Sequence, residues 1–187
     1  MDFLIAADHR LFRIINGWNH PVLDFLLGWP THLGRTVVVL SLIFLALAIY
    51  GFRHPFFWRR YGYMVLCVMV TNIIVQVMKF STGRLRPVDF FKGVDAEGLT
   101  FMFAEHTKAF PSGHAATMFA VAVLVNKIYK GRLPLLYLAA VWIGITRIYV
   151  GAHFPSDVLA GALIGAFIGA IFARFLPSQL SSQSAES

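Results

Sequence analysis

The chain has 187 residues, of which 58% are hydrophobic and only 13% are charged. Because a soluble domain is about half apolar and about a quarter charged, this composition excludes an ordinary soluble protein and indicates a membrane protein. The formal net charge of +7 fits basic loops beside anionic lipid, so no nucleic-acid partner is expected. The single cysteine, Cys67, excludes an intrachain disulfide and is interpreted as a small core residue.

The first part of the chain, residues 1–34, is interpreted as a segment that lies in the membrane interface. Residues 1–16 predict a short amphipathic helix, because apolar and charged side chains fall on opposite sides at helical spacing. This helix is too polar to span a bilayer, and it lacks the basic region and apolar run of a cleavable signal peptide. Residues 22–29 predict a second short interfacial helix.

Five apolar segments between residues 35 and 176 predict membrane-spanning helices. Each is close to the ~20 residues that cross about 30 Å of hydrocarbon. The expected fold class is therefore all-α, a polytopic transmembrane helix bundle with the N-terminal interfacial helix added. Residues 177–187 are rich in Ser and Gln and predict a disordered tail. The predicted spans are 35–51, 61–79, 113–129, 133–150 and 157–176.

The loops between the predicted spans differ in charge. Residues 52–60 and 127–132 form short loops that contain Arg and Lys but no acidic residue. The positive-inside rule places such loops, and with them the C-terminal tail, in the cytoplasm. The 80–112 loop and the 150–156 turn then lie on the outer side. The expected location is the inner (cytoplasmic) membrane, crossed several times, with the candidate site facing the periplasm or exterior.

The sequence Phe-Pro-Ser occurs twice, at 110–112 and 154–156, each time directly before a predicted span. Proline disfavours helix at the residue before it and serine is a good N-cap, so helices are expected to begin at Ser112 and Ser156. Both helix starts lie on the outer side. Two helix N-termini with free N–H groups that face one pocket predict an anion site.

Basic residues cluster at the outer ends of the spans, where charge is costly and indicates function. Several converging cations suit a phosphoryl group, because Arg binds its oxygens bidentately and Lys supplies a point charge. Arg84 is interpreted as a snorkelling or solvated loop residue. Arg147 is placed in the site because a histidine and an aspartate follow it closely. The other candidates are Lys79 and Arg86.

Two histidines and one aspartate complete the candidate site. A histidine near a positive helix end tends to stay neutral and nucleophilic. Asp157 can accept the proton of one ring nitrogen of His153, which leaves the other nitrogen free to attack phosphorus. His114 can then protonate the leaving oxygen. The remaining histidines are interpreted as interfacial or solvated: His9, His20, His32, His54 and His106.

Metal binding is the competing use of these side chains, because two histidines and one aspartate could hold zinc. However, Lys79, Arg86 and Arg147 would repel a dication, and no Cys or Glu joins the set. No metal site and no cofactor are therefore expected.

The motifs resemble those of the type 2 phosphatidic acid phosphatase superfamily, which also includes the vanadium haloperoxidases. All three occur in the family's order: Lys79-x6-Arg86-Pro87, then Pro111-Ser112-Gly113-His114, then Arg147-x5-His153-x3-Asp157. Thr146 stands where the family usually has Ser, and it keeps the hydroxyl. Soluble haloperoxidase chemistry does not fit so apolar a chain.

The resemblance implies a role for each matching residue. His153 would be the nucleophile that forms a phosphohistidine, Asp157 would orient it, and His114 would be the general acid. The groups that hold the phosphate oxygens would be Lys79, Arg86, Arg147, Ser112 and the Gly113 backbone N–H. Family members of this type work without a metal, and their membrane members commonly have six spans, one more than this sequence predicts.

The expected function is hydrolysis of a phosphomonoester or pyrophosphate of a membrane lipid on the outer face. Among the family's bacterial substrates, lipid A 1-phosphate and undecaprenyl pyrophosphate are favoured over phosphatidylglycerophosphate and phosphatidic acid. The alternatives are a lipid phosphotransferase that uses the same intermediate, and a lipid binder or transporter without chemistry. Phenylalanines of the 88–110 loop suit either a lid or simple packing: Phe90, Phe91, Phe101, Phe103 and Phe110.

Overall fold

The computed structural model is all-helical in the part of the chain that it describes: residues 2–18, 20–28, 41–42, 45, 49, 56–92, 98–99, 101–102, 108–131 and 133–180. The longer helices are numbered α1 (Asp2–Asn16), α2 (Phe57–Thr82), α3 (Gly113–Ile128), α4 (Leu135–Tyr149) and α5 (Pro155–Arg174). Shorter helical segments cover Pro21–Leu23, Asp24–Gly28, Pro87–Phe90 and Ser178–Leu180. The expected all-α class is confirmed.

Four of the five predicted spans coincide with helices to within a few residues at each end. These helices are α2, α3, α4 and α5. The predicted first span, 35–51, lies outside the described residues apart from four isolated positions. α2 and α5, with 26 and 20 residues, are long and apolar enough to cross a membrane. α3 and α4 are shorter, at about 24 and 22 Å for a rise of about 1.5 Å per residue. The number of spans stays a prediction.

The outer surfaces of the helices carry rows of exposed apolar side chains. On α5, Leu159, Leu163 and Phe167 are each more than 60% exposed and recur every fourth residue, so they form one stripe. Leu135 and Leu138 of α4 are exposed in the same way. Soluble proteins rarely leave contiguous apolar surface of this extent in water. These surfaces fit contact with lipid, which supports a membrane protein.

The opposite side of α5 carries glycines that let its backbone approach α3. A Cβ on Gly161, Gly165 or Gly169 would overlap a carbonyl oxygen of α3 or of its N-cap residue. The three carbonyls belong to Ser112, Ala116 and Ala120. Small residues spaced by four are a common means of close helix packing in membranes. This contact brings the first residues of α3 and α5 together at one end of the bundle.

The main hydrophobic core lies toward the other end of the bundle. It joins α2, α3 and α5 through Met64, Cys67, Leu124, Ile128 and Ile168, all of them buried. Cys67 is only 1% exposed, so its interpretation as a small core residue is confirmed. This packing supports the helices below the candidate site without contributing to it.

The predicted disordered tail, residues 177–187, includes residues that are ordered in the structure. Ser178–Leu180 form one 3₁₀ turn, and Leu180 is buried. The carbonyl oxygen of Leu180 accepts a hydrogen bond from Nε of Arg60 at 3.0 Å. Residues 178–180 are therefore ordered, because this apolar side chain and this carbonyl both have partners beside the start of α2. Residues 181–187 lie outside the described residues.

α1 packs against the end of the bundle where α3 and α5 begin. Phe12 and Asn16 are fully buried, and the Asn16 amide donates to the carbonyl oxygen of Tyr149 at 2.7 Å. Leu4 and Ile14 of the predicted apolar stripe remain 72% and 51% exposed. These apolar side chains therefore face away from the protein, as an interfacial helix requires, whereas Ile15 packs on the buried clusters that contain Phe12 and Tyr149. Its location in the membrane interface stays a prediction.

The predicted second short helix is present as Pro21–Leu23, followed by a π-helical turn at Asp24–Gly28. Leu27 is buried in a cluster with Tyr149, and the Tyr149 hydroxyl donates to Oδ1 of Asp24 at 2.5 Å. Residues 21–28 are thus packed on the end of α4 as part of the bundle.

Candidate active site

The three sequence motifs meet at one end of the bundle. α2 ends there at Thr82, α3 begins at Gly113, and the 150–154 turn joins α4 to α5. The basic residues at the start of α2 and the end of α3 lie at the opposite end, where the guanidinium of Arg60 is 5.9 Å from the Tyr129 ring. The basic loops and the motifs are therefore separated by the length of the bundle.

The turn after α4 positions His153 beside Arg147. Gly151 has φ +78°, and its N–H donates to the carbonyl oxygen of Ile148 at 3.0 Å. The N–H groups of Ala152 and His153 both donate to the carbonyl oxygen of Arg147 at 3.1 Å. This is a Schellman arrangement, in which a glycine takes the left-handed conformation after the helix. It folds the chain back so that His153 follows directly on the end of α4.

His153 and Asp157 are buried side by side. The His153 ring is 1% exposed and Asp157 is fully buried. Nδ1 of His153 lies 3.8 Å from Oδ2 of Asp157, which is too long for a hydrogen bond. The expected hydrogen bond from His153 to Asp157 is therefore not formed in this structure. Among the described residues, this Nδ1 has no hydrogen-bond partner.

The positive charges predicted to hold phosphate act on His153. Burial lowers the pKa of His153 well below its ordinary 6.5, and the charges of Arg86, Arg147, Lys79 and His114 lower it further, in that order. Each of these four side chains is therefore near enough to oppose protonation of the ring. The ring is held neutral, the form in which a histidine nitrogen can attack an electrophile.

The start of α3 supplies the second motif. Ser112 occupies the N-cap position as predicted, but its side chain makes no capping hydrogen bond. In the described part of the chain its buried Oγ has no partner, while its backbone N–H donates to the carbonyl oxygen of Asp157 at 2.9 Å. His114 follows in the first turn and is half-buried. A free hydroxyl and helix N–H groups at this position are suited to an anion.

The start of α5 differs from the prediction by two residues. The N-cap is Phe154 rather than Ser156, and Pro155 takes the first helical position. Proline fits there because it has no N–H to satisfy and its φ is already helical. Oδ2 of Asp157, in the first turn, accepts the N–H of Phe154 at 2.8 Å. Asp157 therefore caps its own helix as well as facing His153.

The first motif is held by backbone carbonyls of the neighbouring segments. Nζ of Lys79 donates to the carbonyl oxygen of Lys108 at 3.1 Å. Arg86 is 3% exposed, and its Nη1 donates to the carbonyl oxygen of Ala152 at 3.3 Å. The second contact links Arg86 to the residue before His153. The predicted cations of the first and third motifs are thus brought together around one histidine.

Sequence reasoning missed two charged residues at this end. Arg84, interpreted as solvated or snorkelling, donates from Nη1 to Oδ1 of Asp157 and from Nη2 to Oδ2 of Asp8, both at 2.7 Å. The available signal was its spacing of two from Arg86 in a segment without helix, which puts both near the same end. No local pattern marks Asp8, because its partners lie 76 and 148 residues along the chain.

His9, interpreted as interfacial or solvated, packs against aromatic rings and is not fully solvated, while its interfacial location stays a prediction. Its ring is half-buried, with its centroid 4.5 Å from that of Phe90 and 4.8 Å from that of Phe154. Burial lowers the pKa of His9; the charge of Asp8 opposes this effect, and the charges of Arg84 and Arg13 add to it. Phe91 is buried in the same cluster, stacked on Phe12 at 5.7 Å. Packing therefore describes Phe91 better than a lid.

In the described part of the chain, no three His, Cys, Asp or Glu side chains converge as metal ligands would. Metal independence stays a prediction that a chelator can test.

Comparison with known proteins identifies the family. Residues 60–180 match the PAP2 superfamily. The chain belongs to this superfamily. The matched residues include all three motifs, so the resemblance drawn from the motifs is confirmed.

Two proteins similar to this chain are named as lipid phosphatases. The lipid A 1-phosphatase of Rhizobium johnstonii is 33% identical over 109 residues, which is 57% of this chain and 43% of that protein. The chain thus spans less than half of that relative. Phosphatidylglycerophosphatase B of Bacillus subtilis is 30% identical over 174 residues, covering 86% of this chain and 78% of the relative.

Two solved structures share the fold. The crystal structure of Aquifex aeolicus LpxE has a TM-score of 0.73 and 33% identity, covering 88% of this chain and 93% of that one. The transmembrane PAP2-type phosphatidylglycerolphosphate phosphatase of Bacillus subtilis has a TM-score of 0.76 and 25% identity, covering 94% and 87%. The helix arrangement described above is therefore that of membrane phosphatases of this superfamily.

Proposed function

We propose that this protein is an integral membrane lipid phosphatase that cleaves a phosphomonoester or pyrophosphate through a covalent phosphohistidine on His153. The observation that carries the proposal is the buried His153 ring, whose pKa is lowered by burial and by the nearby charges of Arg86, Arg147 and Lys79. A neutral nucleophile inside a ring of cations is the arrangement that transfer of an anionic phosphoryl group requires.

In the first step, the Nε2 lone pair of His153 attacks phosphorus and the bond to the leaving oxygen breaks. Asp157 moves the short distance that separates it from Nδ1 and accepts a hydrogen bond from the N–H as positive charge develops on the ring. His114 donates its proton to the leaving oxygen, which departs as an alcohol or a phosphate. The three cations, the free Ser112 hydroxyl and the Gly113 N–H hold the phosphoryl oxygens.

In the second step, water attacks phosphorus and the bond to Nε2 breaks. His114, now neutral, takes a proton from that water, so it is ready to act as an acid again. Inorganic phosphate leaves, and His153 returns to its neutral form. If a lipid hydroxyl took the place of water, the same intermediate would give a phosphotransferase.

We propose a cell-envelope lipid as the substrate, with lipid A 1-phosphate or undecaprenyl pyrophosphate favoured. Similarity to a lipid A 1-phosphatase supports the first, and 29% identity over 167 residues to an undecaprenyl-diphosphatase of Sulfolobus acidocaldarius supports the second. The exposed apolar face of α5, which begins at the site, suits a substrate whose tail stays in the bilayer.

We propose an inner-membrane location with the site on the outer face. Arg59, Arg60, Lys127 and Lys130 lie at the end of the bundle opposite the site, and basic residues favour the cytoplasm. A cysteine at Leu85 should react with a membrane-impermeant maleimide in spheroplasts, whereas one at Lys130 should react only after lysis. Cys67 is buried and gives the background. The reverse pattern would place the site in the cytoplasm.

The deciding experiment measures phosphate release by purified protein in detergent with EDTA. The panel contains lipid A, undecaprenyl pyrophosphate, phosphatidylglycerophosphate and phosphatidic acid. His153→Ala should lose turnover by roughly a million-fold, the scale of removing a hydrolase nucleophile, while still binding the lipid. His20→Ala is the control, since His20 is exposed and lies outside the site.

The outcomes separate the alternatives. Release by wild type and His20→Ala but not by His153→Ala supports the phosphatase, and the order of rates names the substrate class. Release only when an acceptor lipid is present would instead indicate a transferase. Binding without release, with the protein folded, would indicate a lipid binder. Loss of release on adding EDTA, restored by zinc, would contradict the metal-free mechanism.

A further inference from the structure

A network of ion pairs joins α1 to the His153–Asp157 pair. Arg84 lies between two carboxylates, with Nη1 2.7 Å from Oδ1 of Asp157 and Nη2 2.7 Å from Oδ2 of Asp8. The Asp157 side chain is fully buried, while those of Asp8 and Arg84 are 9% and 28% exposed. Because the donors of a guanidinium form a rigid fork, one arginine can hold two carboxylates in fixed positions.

Asp8 is also fixed by the start of α5. Its Oδ1 accepts the backbone N–H of Ser156 at 2.8 Å, and its Oδ2 accepts the Ser156 hydroxyl at 2.6 Å. Ser156 is in the first turn of α5, where N–H groups lack an intrahelical partner and favour a carboxylate. The Arg84 guanidinium also lies 4.7 Å from the centre of the Phe154 ring. A residue of α1 thus becomes an integral part of this end of the bundle.

Three groups lie close to the two carboxylate oxygens of Asp157, and two of them already donate hydrogen bonds to it. Oδ1 accepts a hydrogen bond from Arg84, and Oδ2 accepts one from the N–H of Phe154. Nδ1 of His153 lies 3.8 Å from Oδ2 and is not hydrogen-bonded to it. The positive charge of Arg84 partly neutralises Asp157 and so weakens the attraction of its carboxylate for the His153 ring. Asp8 opposes this effect, because it shares the same guanidinium. Without Asp8, the whole cation would act on Asp157 and weaken its hold on His153.

We infer that Asp8 and Arg84 are positioning residues for the Asp157–His153 pair, so that docking of α1 completes the active site. The inference rests on the proposed function, in which Asp157 engages His153 as the ring becomes positive. Asp8 acts through Arg84 and Asp157 and not on the substrate. Its removal should therefore lower kcat and leave KM nearly unchanged.

The first test is Asp8→Asn, which keeps the shape and one oxygen and removes the charge. We expect kcat to fall by up to about 100-fold, the effect of misplacing a reacting group by about 1 Å. Asp8→Glu, which restores the carboxylate, should recover part of the loss. Asp24→Asn is the matched control: it makes the same change in the N-terminal segment, where Asp24 accepts from Tyr149 and not from Arg84. It should stay within about twofold of wild type.

The second test is Arg84→Lys, which keeps a positive charge but cannot hold both carboxylates through a fork. It should lower kcat as Asp8→Asn does, and the double variant should lose less than the product of the two single losses. Wild-type kcat in Asp8→Asn would overturn the inference. Equal losses in Asp8→Asn and Asp24→Asn would also overturn it, because they would reduce Asp8 to a docking contact of α1.

A third measurement separates this inference from the proposed function. If the wild type releases no phosphate from any lipid, the proposed function fails, and thermal unfolding of the same variants decides the inference. The losses in Tm caused by Asp8→Asn and Arg84→Lys should then be non-additive in the double variant, because each change breaks the same network. Additive losses in Tm would show that the two residues are not coupled and would overturn the inference.

Discussion

Gly165 of α5 lies directly against the carbonyl oxygen of Ala116 in α3, with no space for a Cβ between them. The same contact recurs one turn before and one turn after it, so a glycine stripe sets the distance between the two helices. Since α3 carries His114 and α5 carries Asp157, this distance also sets the geometry of the site.

Gly165→Ala should destabilise the protein by about 1–3 kcal/mol, the usual cost of overpacking, because α5 must move away from α3. The measurement is thermal unfolding in detergent together with phosphate release. Gly62→Ala is the control, since Gly62 lies in α2 with no atom within 4 Å of the added Cβ. It should be neutral or raise stability by up to about 1 kcal/mol, the helix preference for alanine. Equal effects at both positions would contradict the close contact.

Gly151→Ala should lower both stability and kcat. A left-handed φ costs an alanine about 1–2 kcal/mol, and relief of this strain would move the neighbouring His153. Gly131→Ala tests the same strain at the far end of the bundle, since Gly131 has φ +75° and open space around it. It should lose similar stability and keep its kcat. A Gly151→Ala variant with normal kcat would show that the turn does not position His153.

His114→Ala should slow the reaction by roughly 100- to 10,000-fold, the usual contribution of general acid catalysis. The loss should shrink for a substrate whose leaving group departs without protonation, such as p-nitrophenyl phosphate. The measurement is kcat for a series of leaving groups in wild type and variant. The same loss across the series would argue against His114 as the acid.

Arg147→Lys should lower activity, because lysine lacks the planar fork with which arginine donates two parallel hydrogen bonds to one phosphoryl group, so one charge-assisted bond is lost. Such a bond contributes about 1.5–3 kcal/mol, which corresponds to a loss of roughly 10- to 150-fold in kcat/KM. Arg59→Lys is the control, since Arg59 is exposed at the opposite end. Wild-type activity in Arg147→Lys would demote Arg147 to a residue that only anchors the end of α4.

The pH dependence should reflect the lowered pKa of His153, which lies in the turn between α4 and α5. The ring stays neutral as the pH falls below its ordinary pKa of 6.5, so the acid limb of kcat/KM should lie below pH 6.5. Arg86→Gln removes one cause of the shift and should move the limb to higher pH, whereas His20→Ala should leave it unchanged. An acid limb of kcat/KM at or above pH 6.5 in wild type would contradict a pKa of His153 lowered by burial and neighbouring cations.

The same shift predicts how stability depends on pH. Below pH 6.5 the unfolded chain protonates this histidine and the folded chain does not. The contribution of His153 is therefore retained above pH 6.5 and lost as the pH falls toward the folded pKa, by up to about 1.4 kcal/mol per pH unit. His153→Asn should remove this part of the acid sensitivity in thermal unfolding.

Local patterns predicted most of the fold. The α3 and α5 helices agree with predicted spans because apolar length is a property of a continuous segment. Ser112 takes its predicted N-cap position because the Pro-Ser pair that favours a helix start is also local. The start of α5 was misjudged because Ser156 and Pro155 compete for the first turn, and proline fits its first position better. The glycine stripe of α5 was readable as a spacing of four and was overlooked.

The motif residues, with their order and spacing, were determined by the sequence alone, because catalysis at phosphate needs particular side chains and these occur within short segments. The tertiary structure decided which of them meet and what else joins them. It brings Asp8 and Arg84, 76 residues apart, to either side of one ion pair, and it draws His9 into an aromatic cluster. Such contacts depend on how α1 packs against the ends of α4 and α5, and no pattern within a segment encodes that packing.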